Sequence, residues 1–240
     1  MTIAATKTVG EIVAETPSCA REFEALGIDY CCGGNRTLTE ACKQLNVSVD
    51  ETLARLEKSA AQATSAEDKN WQALPLTDLI TNINNTHHVF VRSECPRINA
   101  LAEKVVGVHG KNHPELLTVQ ATFAALSEEL HVHLMKEEQI LFPYVLRMEE
   151  SVMAGEPAPP AMFSTVMNPI RMMMQEHDGA GEALQALRSI TGNYQPPADA
   201  CVSYRTLYQA LQEFEKDLHQ HIHKENNILF PRAAAMEAGR

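Results

Sequence analysis

The chain has 240 residues, a formal net charge of −11 and no run of basic residues. That length allows one large domain, or one small and one medium domain, each with a core of its own. The charge excludes nucleic acid as a general partner, because phosphate binding needs clustered Lys and Arg; no stretch of about 18 apolar residues offers a membrane span.

The opening, MTIAATKTVGEIV, lacks the basic, apolar and small-residue order of an export signal, so a cytoplasmic protein is expected. Six cysteines (Cys19, Cys31, Cys32, Cys42, Cys95, Cys201) are scattered, which in a reducing compartment reads as free thiols. The first 60 or so residues carry three helix-start signals: Thr8 with Glu11, Thr37 with Glu40, and Ser48 with Glu51. Thr16-Pro17 starts a further helix that Gly27 should stop. Residues 1–60 therefore form a small domain of about four short helices.

Residues 61–70 (AQATSAEDKN) are small and polar and read as a linker. From Trp71 onward the period is helical, with breaks at GVHGKNHP (107–114), AGEPAPP (154–160) and GNYQPP (192–197). Four long helical segments with short connections predict a four-helix bundle over 71–240, and an all-α fold.

An internal repeat runs through that bundle. Residues 131–143 read HVHLMKEEQILFP and residues 219–231 read HQHIHKENNILFP, an offset of 88; His88 and His177 lie 89 apart on the preceding helices. The bundle thus reads as two similar helix pairs related by a pseudo-two-fold.

His133 and Glu137, like His221 and Glu225, are four residues apart, so each pair projects from one helix face about one turn apart. With His88 and His177 they make four imidazoles and two carboxylates, a ligand set for two metal ions. Such ligands suit iron, manganese or zinc, and the absence of Cys from the motifs argues against a closed structural zinc site. Iron fits best, with two carboxylates as bridges and open positions for small molecules. Taken singly, each of these residues reads as a core or surface group. A polar pair recurring beside the same ILFP segment would instead bury several uncompensated groups unless something satisfied them.

The remaining polar residues read as accessory. His87, His131 and His219 point away from the ligand face, and His113 and His223 are expected at the surface. His109, at the far end of a helix running from His88, sits about 31 Å from it. Glu129, Glu138 and Glu176 flank the motifs; Glu129 and Glu176 are the candidates for orienting a metal-bound ring. Cys31 and Cys32 are adjacent, with Cα atoms about 3.8 Å apart against a usual disulfide range of about 4.4–6.8 Å, so a stable bond between them would be strained. They precede the helix capped by Thr37, where thiolate, metal, nitrosyl or redox chemistry is open to them.

These residues resemble the hemerythrin-like superfamily, and with Ile28-Asp29-Tyr30-Cys31-Cys32-Gly33-Gly34 the resemblance narrows to the iron-sulfur cluster repair di-iron proteins. It covers nearly the whole chain. It implies a hemerythrin-like bundle behind a small N-terminal domain, and metal ligands His88, His133, Glu137, His177, His221 and Glu225. Its implied cofactor is two non-haem iron ions (Fe2+/Fe3+) with a bridging oxo or hydroxo group. The implied role is repair of iron-sulfur proteins damaged by nitric oxide or oxidative stress, through iron donation or nitric oxide handling. Damaged iron-sulfur proteins, nitric oxide and oxygen are the implied partners, and a homodimer could bring Cys31-Cys32 to another chain's metal site. Two other readings stay open: a hemerythrin-like oxygen or redox sensor that acts as a binding module, and a structural zinc site. Whether the chain is an enzyme is left undecided.

Overall fold

A computed structural model describes residues 3–62 and 69–239. The described residues are helical, with one isolated bridge between Thr8 and Thr37, and the chain is all-α: a helical bundle behind a small N-terminal helical domain. None of the described helices is long and apolar enough to cross a membrane.

The N-terminal helices start where the caps predict. Helix α1 (Val9–Glu15) and helix α3 (Leu38–Leu45) both open on complete capping boxes, Thr8 with Glu11 and Thr37 with Glu40. Each hydroxyl and carboxylate satisfies an amide that the helix leaves without a partner, worth about 1 kcal/mol per cap. Between them, a 3-10 turn at Pro17–Cys19 leads into α2 (Ala20–Leu26), which ends at Gly27 with φ 71°, the left-handed cap. Helix α4 (Val49–Gln62) starts with the Glu51 amide donating to Ser48 Oγ at 3.3 Å. Val9, Ile12, Phe23, Tyr30, Leu38 and Leu56 are buried together as one core. Of the expected linker 61–70, residues 63–68 lie outside the described residues, and Ala61 and Gln62 still belong to α4.

The bundle segments are longer than ordinary helices because each of three is an α-helix, a π-helical turn and a second α-helix. The first is α5 (Leu76–Asn82), a π turn (Ile83–His88) and α6 (Val89–His109). The second is α7 (Glu115–Lys136), a π turn (Glu137–Leu141) and α8 (Phe142–Met153). After α9 (Met167–Ile190) comes α10 (Val202–Lys224), a π turn (Glu225–Leu229) and α11 (Phe230–Ala238). The first segment begins at Leu76 and not at Trp71: Pro75 disfavours helix in the residue before it, and residues 71–74 form a turn. The carbonyls of Trp71 and Leu74 accept from Arg232 instead, at 2.9 and 2.7 Å.

The chain divides into two compact units, Met1–Thr81 with Val145–Met167 and His219–Arg240, and Asn82–Tyr144 with Asn168–Leu218. The first unit contains two matching carboxylate staples. Glu149, at the end of α8, accepts from the amides of Leu76 and Thr77 at the start of α5, at 2.6 and 2.8 Å. Glu237, 88 residues further on, accepts from the amide of Val166 just ahead of α9 and from the Thr165 hydroxyl. Both carboxylates are nearly buried, at 9% and 8% exposure, and each sits on the positive end of a helix. The second unit packs Val91, Ile98, Phe123, Leu130, Met173, Leu184 and Phe214 in its interior, with the Phe123 and Phe214 rings edge to face at 5.1 Å.

Candidate metal centre

Each π turn adjoins candidate ligands. One ends on His88, one begins with Glu137 and one begins with Glu225. A π turn widens the backbone spiral and is found disproportionately at functional sites. Two of the three have a visible cause: Pro143 and Pro231 of the ILFP repeats offer no amide, and their rings push away the carbonyl four residues back, at Gln139 and Asn227.

In the second unit, His88, His133, Glu137 and His177 are all buried, Glu137 and His88 completely. His88 Nε2 lies 3.4 Å and His133 Nε2 3.5 Å from the same Glu137 Oε2, and His177 Nε2 lies 3.1 Å from His133 Nε2. The other nitrogen of two rings is held from behind. His88 Nδ1 is 2.7 Å from Glu138 Oε1, and His133 Nδ1 is 2.8 Å from Glu176 Oε2. Those carboxylates are themselves anchored, Glu138 by Arg92 at 2.7 Å and Glu176 by Lys136. Burial works against ionising either one, but hydrogen bonds from Arg92 and His88, and from Lys136 and His133, hold both below the usual carboxylate range.

That arrangement fixes where the lone pairs go. With Nδ1–H donated to a carboxylate, a neutral ring carries its lone pair on Nε2. Two such lone pairs then face one carboxylate oxygen, acceptor against acceptor. A cation between them turns repulsion into ligation. Extra protons would do so only by burying several positive charges on a single carboxylate. The donor set therefore fits a metal ion, with the rings oriented as metal-bound histidines ordinarily are.

In the first unit the second motif repeats the pattern: His221 Nε2 lies 3.0 Å from Glu225 Oε1, and both side chains are buried. The same unit holds the DYCCGG element against the turn that starts at Glu225. Asn227 Nδ2 shares its two N–H groups among the carbonyls of Tyr30 and Cys31, at 3.2 and 3.1 Å, and His223 Nδ1, at 3.2 Å. The amide is seated between two glycines. A Cβ on Gly10 would come within 2.8 Å of Asn227 Cγ, and one on Gly34 within 2.8 Å of Asn227 Nδ2 and of the Tyr30 carbonyl. Tyr30 is buried, with its ring 5.5 Å from His223 and its hydroxyl donating to Glu24 at 3.1 Å.

Several expectations need correction. His223, expected at the surface, is 5% exposed, because the DYCCGG loop covers it; burial pushes its pKa down to about 4, so the ring is neutral near pH 7. His87 is also buried, with Nδ1 2.9 Å from Asp217. His113 is half-buried and pairs with Asp199 and Glu115 at 3.0 and 3.1 Å. Of the two carboxylates expected to orient ligand rings, Glu176 holds His133, whereas Glu129 is exposed; the carboxylate on His88 is Glu138. Glu129 instead lines a cavity of about 650 Å3 whose walls also include Leu130, His133, Lys136, Glu176 and His177. The signal that could have singled out Glu138 was its place one residue after Glu137, beside the repeated motif.

None of the six cysteines, all among the described residues, is in a disulfide, and the Cys31 and Cys32 sulfurs are 3.9 Å apart. The Cys32 hydrogen bond, burial and the charges of Cys32 and Asp29 push the Cys31 thiol up.

Known proteins carry both parts of this chain. Residues 79–233 match the hemerythrin HHE cation binding domain, and residues 5–60 match ScdA_N, described as a domain of unknown function. The chain is 38% identical over 227 residues to the iron-sulfur cluster repair protein YtfE of Yersinia pseudotuberculosis serotype IB (strain PB1/+), covering 95% of this chain and 96% of that protein. The protein of the same name from Yersinia pestis (strain Pestoides F) matches to the same extent. By its two matched domains and by identity along nearly its whole length, this chain belongs to the hemerythrin-like family of iron-sulfur cluster repair proteins.

Proposed function

We propose that His88, His133, Glu137, His177, His221 and Glu225 together hold two iron ions, and that the chain uses them to repair iron-sulfur clusters damaged by nitric oxide or oxidative stress. The observation that carries this reading is the pair of rings, His88 and His133, each fixed at Nδ1 by a carboxylate and aimed at Glu137 by Nε2. The repeat supports His221 and Glu225 as the matching half, and the repair role follows the relatives' name.

Two iron ions held by these six residues would supply Fe2+/Fe3+ redox chemistry and sites for nitric oxide or oxygen. The protein's own part is orientation, exclusion and access. Glu138 and Glu176 set the tautomers of His88 and His133, Phe142 stacks 5.7 Å from the His88 ring, and the cavity beside His133 and His177 gives small molecules a way in. Its recipients are damaged iron-sulfur proteins, and its place of action is the cytoplasm.

The test is iron content with a Mössbauer spectrum on protein purified without added metal, followed by incubation with a nitric-oxide-inactivated iron-sulfur enzyme. The expected result is two coupled irons per chain and recovery of the recipient's activity as chain-bound iron falls. Zinc, or no metal, would overturn the metal assignment. Reversible oxygen binding with no transfer of iron would favour the sensor reading.

A further inference from the structure

The DYCCGG element is built more carefully than a surface loop requires. Asp29 organises it: Oδ1 accepts from the amides of Cys31 and Cys32 at 3.1 and 3.0 Å, and Oδ2 from the amide of Gly33 at 2.8 Å. From the other side, Asn226 and Asn227 donate to the Cys31 carbonyl at 3.4 and 3.1 Å. Backbone fixed at both faces leaves the two thiols little freedom. Cys31 Sγ points at Asp29 Oδ1, 3.2 Å away, and stands 3.9 Å from Cys32 Sγ. The three ligand atoms lie within 4.8 Å of one another.

We propose that Asp29, Cys31 and Cys32 form a second, separate metal site that takes a single thiophilic divalent cation. The sulfur separation supports this directly, since two thiolates at about 2.3 Å from a tetrahedral ion stand about 3.8 Å apart. Adjacent sulfurs that resist joining as a disulfide can still chelate one ion, whose bonds are longer and whose angle is wider. On binding, each thiol exchanges its proton for the metal and releases it to water, with no change of oxidation state. Two thiolates and one carboxylate around a divalent ion leave one negative charge, and Arg36, 3.7 Å from Asp29 Oδ2, lies where it offsets it.

Access decides what such a site is for. Cys31 is buried, Cys32 is half-buried and Asp29 is exposed, so the ion would be held from within and reached from outside. Three protein ligands leave a fourth position for a ligand from a recipient. A closed structural site has no such opening. The site suits ferrous iron in passage; that choice of cargo, though not the site itself, rests on the repair function proposed above.

Cobalt(II) tests the site in the full chain, because the six histidine and carboxylate ligands of the other centre contain no sulfur. Iron content is measured first; the iron-bearing protein is then titrated with cobalt(II). The expected result is one further equivalent, with an intense sulfur-to-cobalt charge-transfer band and the visible bands of a tetrahedral ion. Cys31→Ser and Cys32→Ser should each abolish the band with circular dichroism unchanged, and Cys201→Ser should keep it. Asp29→Asn, which retains the amide-accepting oxygen, should weaken binding on the order of tenfold or more, the scale of losing a group that only orients a ligand. No thiolate band, or one that survives both Cys31 and Cys32 variants, would overturn the proposal. A chain that purifies without iron yet gives the band would keep the site and remove ferrous iron as its cargo.

Discussion

The two copies of the repeat keep the same His-x-x-x-Glu pair and differ in what surrounds it. Met135, Glu138 and Gln139 of the first copy stand where the second has His223, Asn226 and Asn227. In the first copy Met135 and Gln139 are exposed, and Glu138 turns inward to hold His88. In the second, His223 is buried and the two asparagines hold the DYCCGG loop. These three divergent positions answer to solvent or to a local neighbour outside the His-x-x-x-Glu pair itself. A repeat thus separates two demands that a single motif would confound: what stayed constant is the proposed ligand pair, and what drifted answers to the local neighbour.

The largest expected break in that comparison is at His223. Its folded pKa, about 4, lies below the unfolded value, so the unfolded chain binds more protons between the two. Stability from this ring is therefore complete above about pH 6.5 and falls as pH drops toward 4, by about 3 kcal/mol in total. Urea denaturation of metal-free protein across that window should show the loss, and His223→Met, the first copy's residue, should flatten it. Equal slopes in the two proteins would remove the burial argument.

Exchanging the residues beside the loops sharpens the same contrast. Asn227→Gln lengthens a side chain clamped between Gly10 and Gly34 and should cost about 1–3 kcal/mol, the usual penalty for overpacking. The reverse exchange, Gln139→Asn on an exposed position, should stay within about 0.5 kcal/mol. Equal thermal shifts in the two variants would count against the clamp. A smaller effect on folding, but a clear one on metal, is expected from Glu176→Gln. Removing the charge behind His133 should lower metal affinity by about 10–100-fold in a chelator competition.

Much of this was legible in the chain. Thr8, Thr37 and Gly27 announced their helices because caps are local chemistry, decided within three or four residues. The offset of 88 announced the paired motifs because recurrence needs no geometry. What stayed hidden depended on contacts from far along the chain. His223 reads as a surface histidine until Tyr30 is known to lie over it, and Trp71 reads as helical until Arg232 is known to take its carbonyl. Glu138 escaped for a different reason. Ideal helix phase places it about 100° from Glu137, whereas the π turn changes the phase where the carboxylate is needed.

The two carboxylate staples carry a consequence for the ancestry of the bundle. Glu149 closes the first helix pair onto its own beginning, and Glu237 does the same for the second. Each pair therefore contains one candidate ligand histidine on its first helix, one His-x-x-x-Glu motif and its own clasp. Two identical copies of such a pair, related by a twofold axis, would supply the same complement of four imidazoles and two carboxylates. A protein made of only half of the bundle would present that complement as a homodimer. Fusion of two genes for such a protein would then have freed one copy to acquire the asparagines that hold the cysteine-bearing domain.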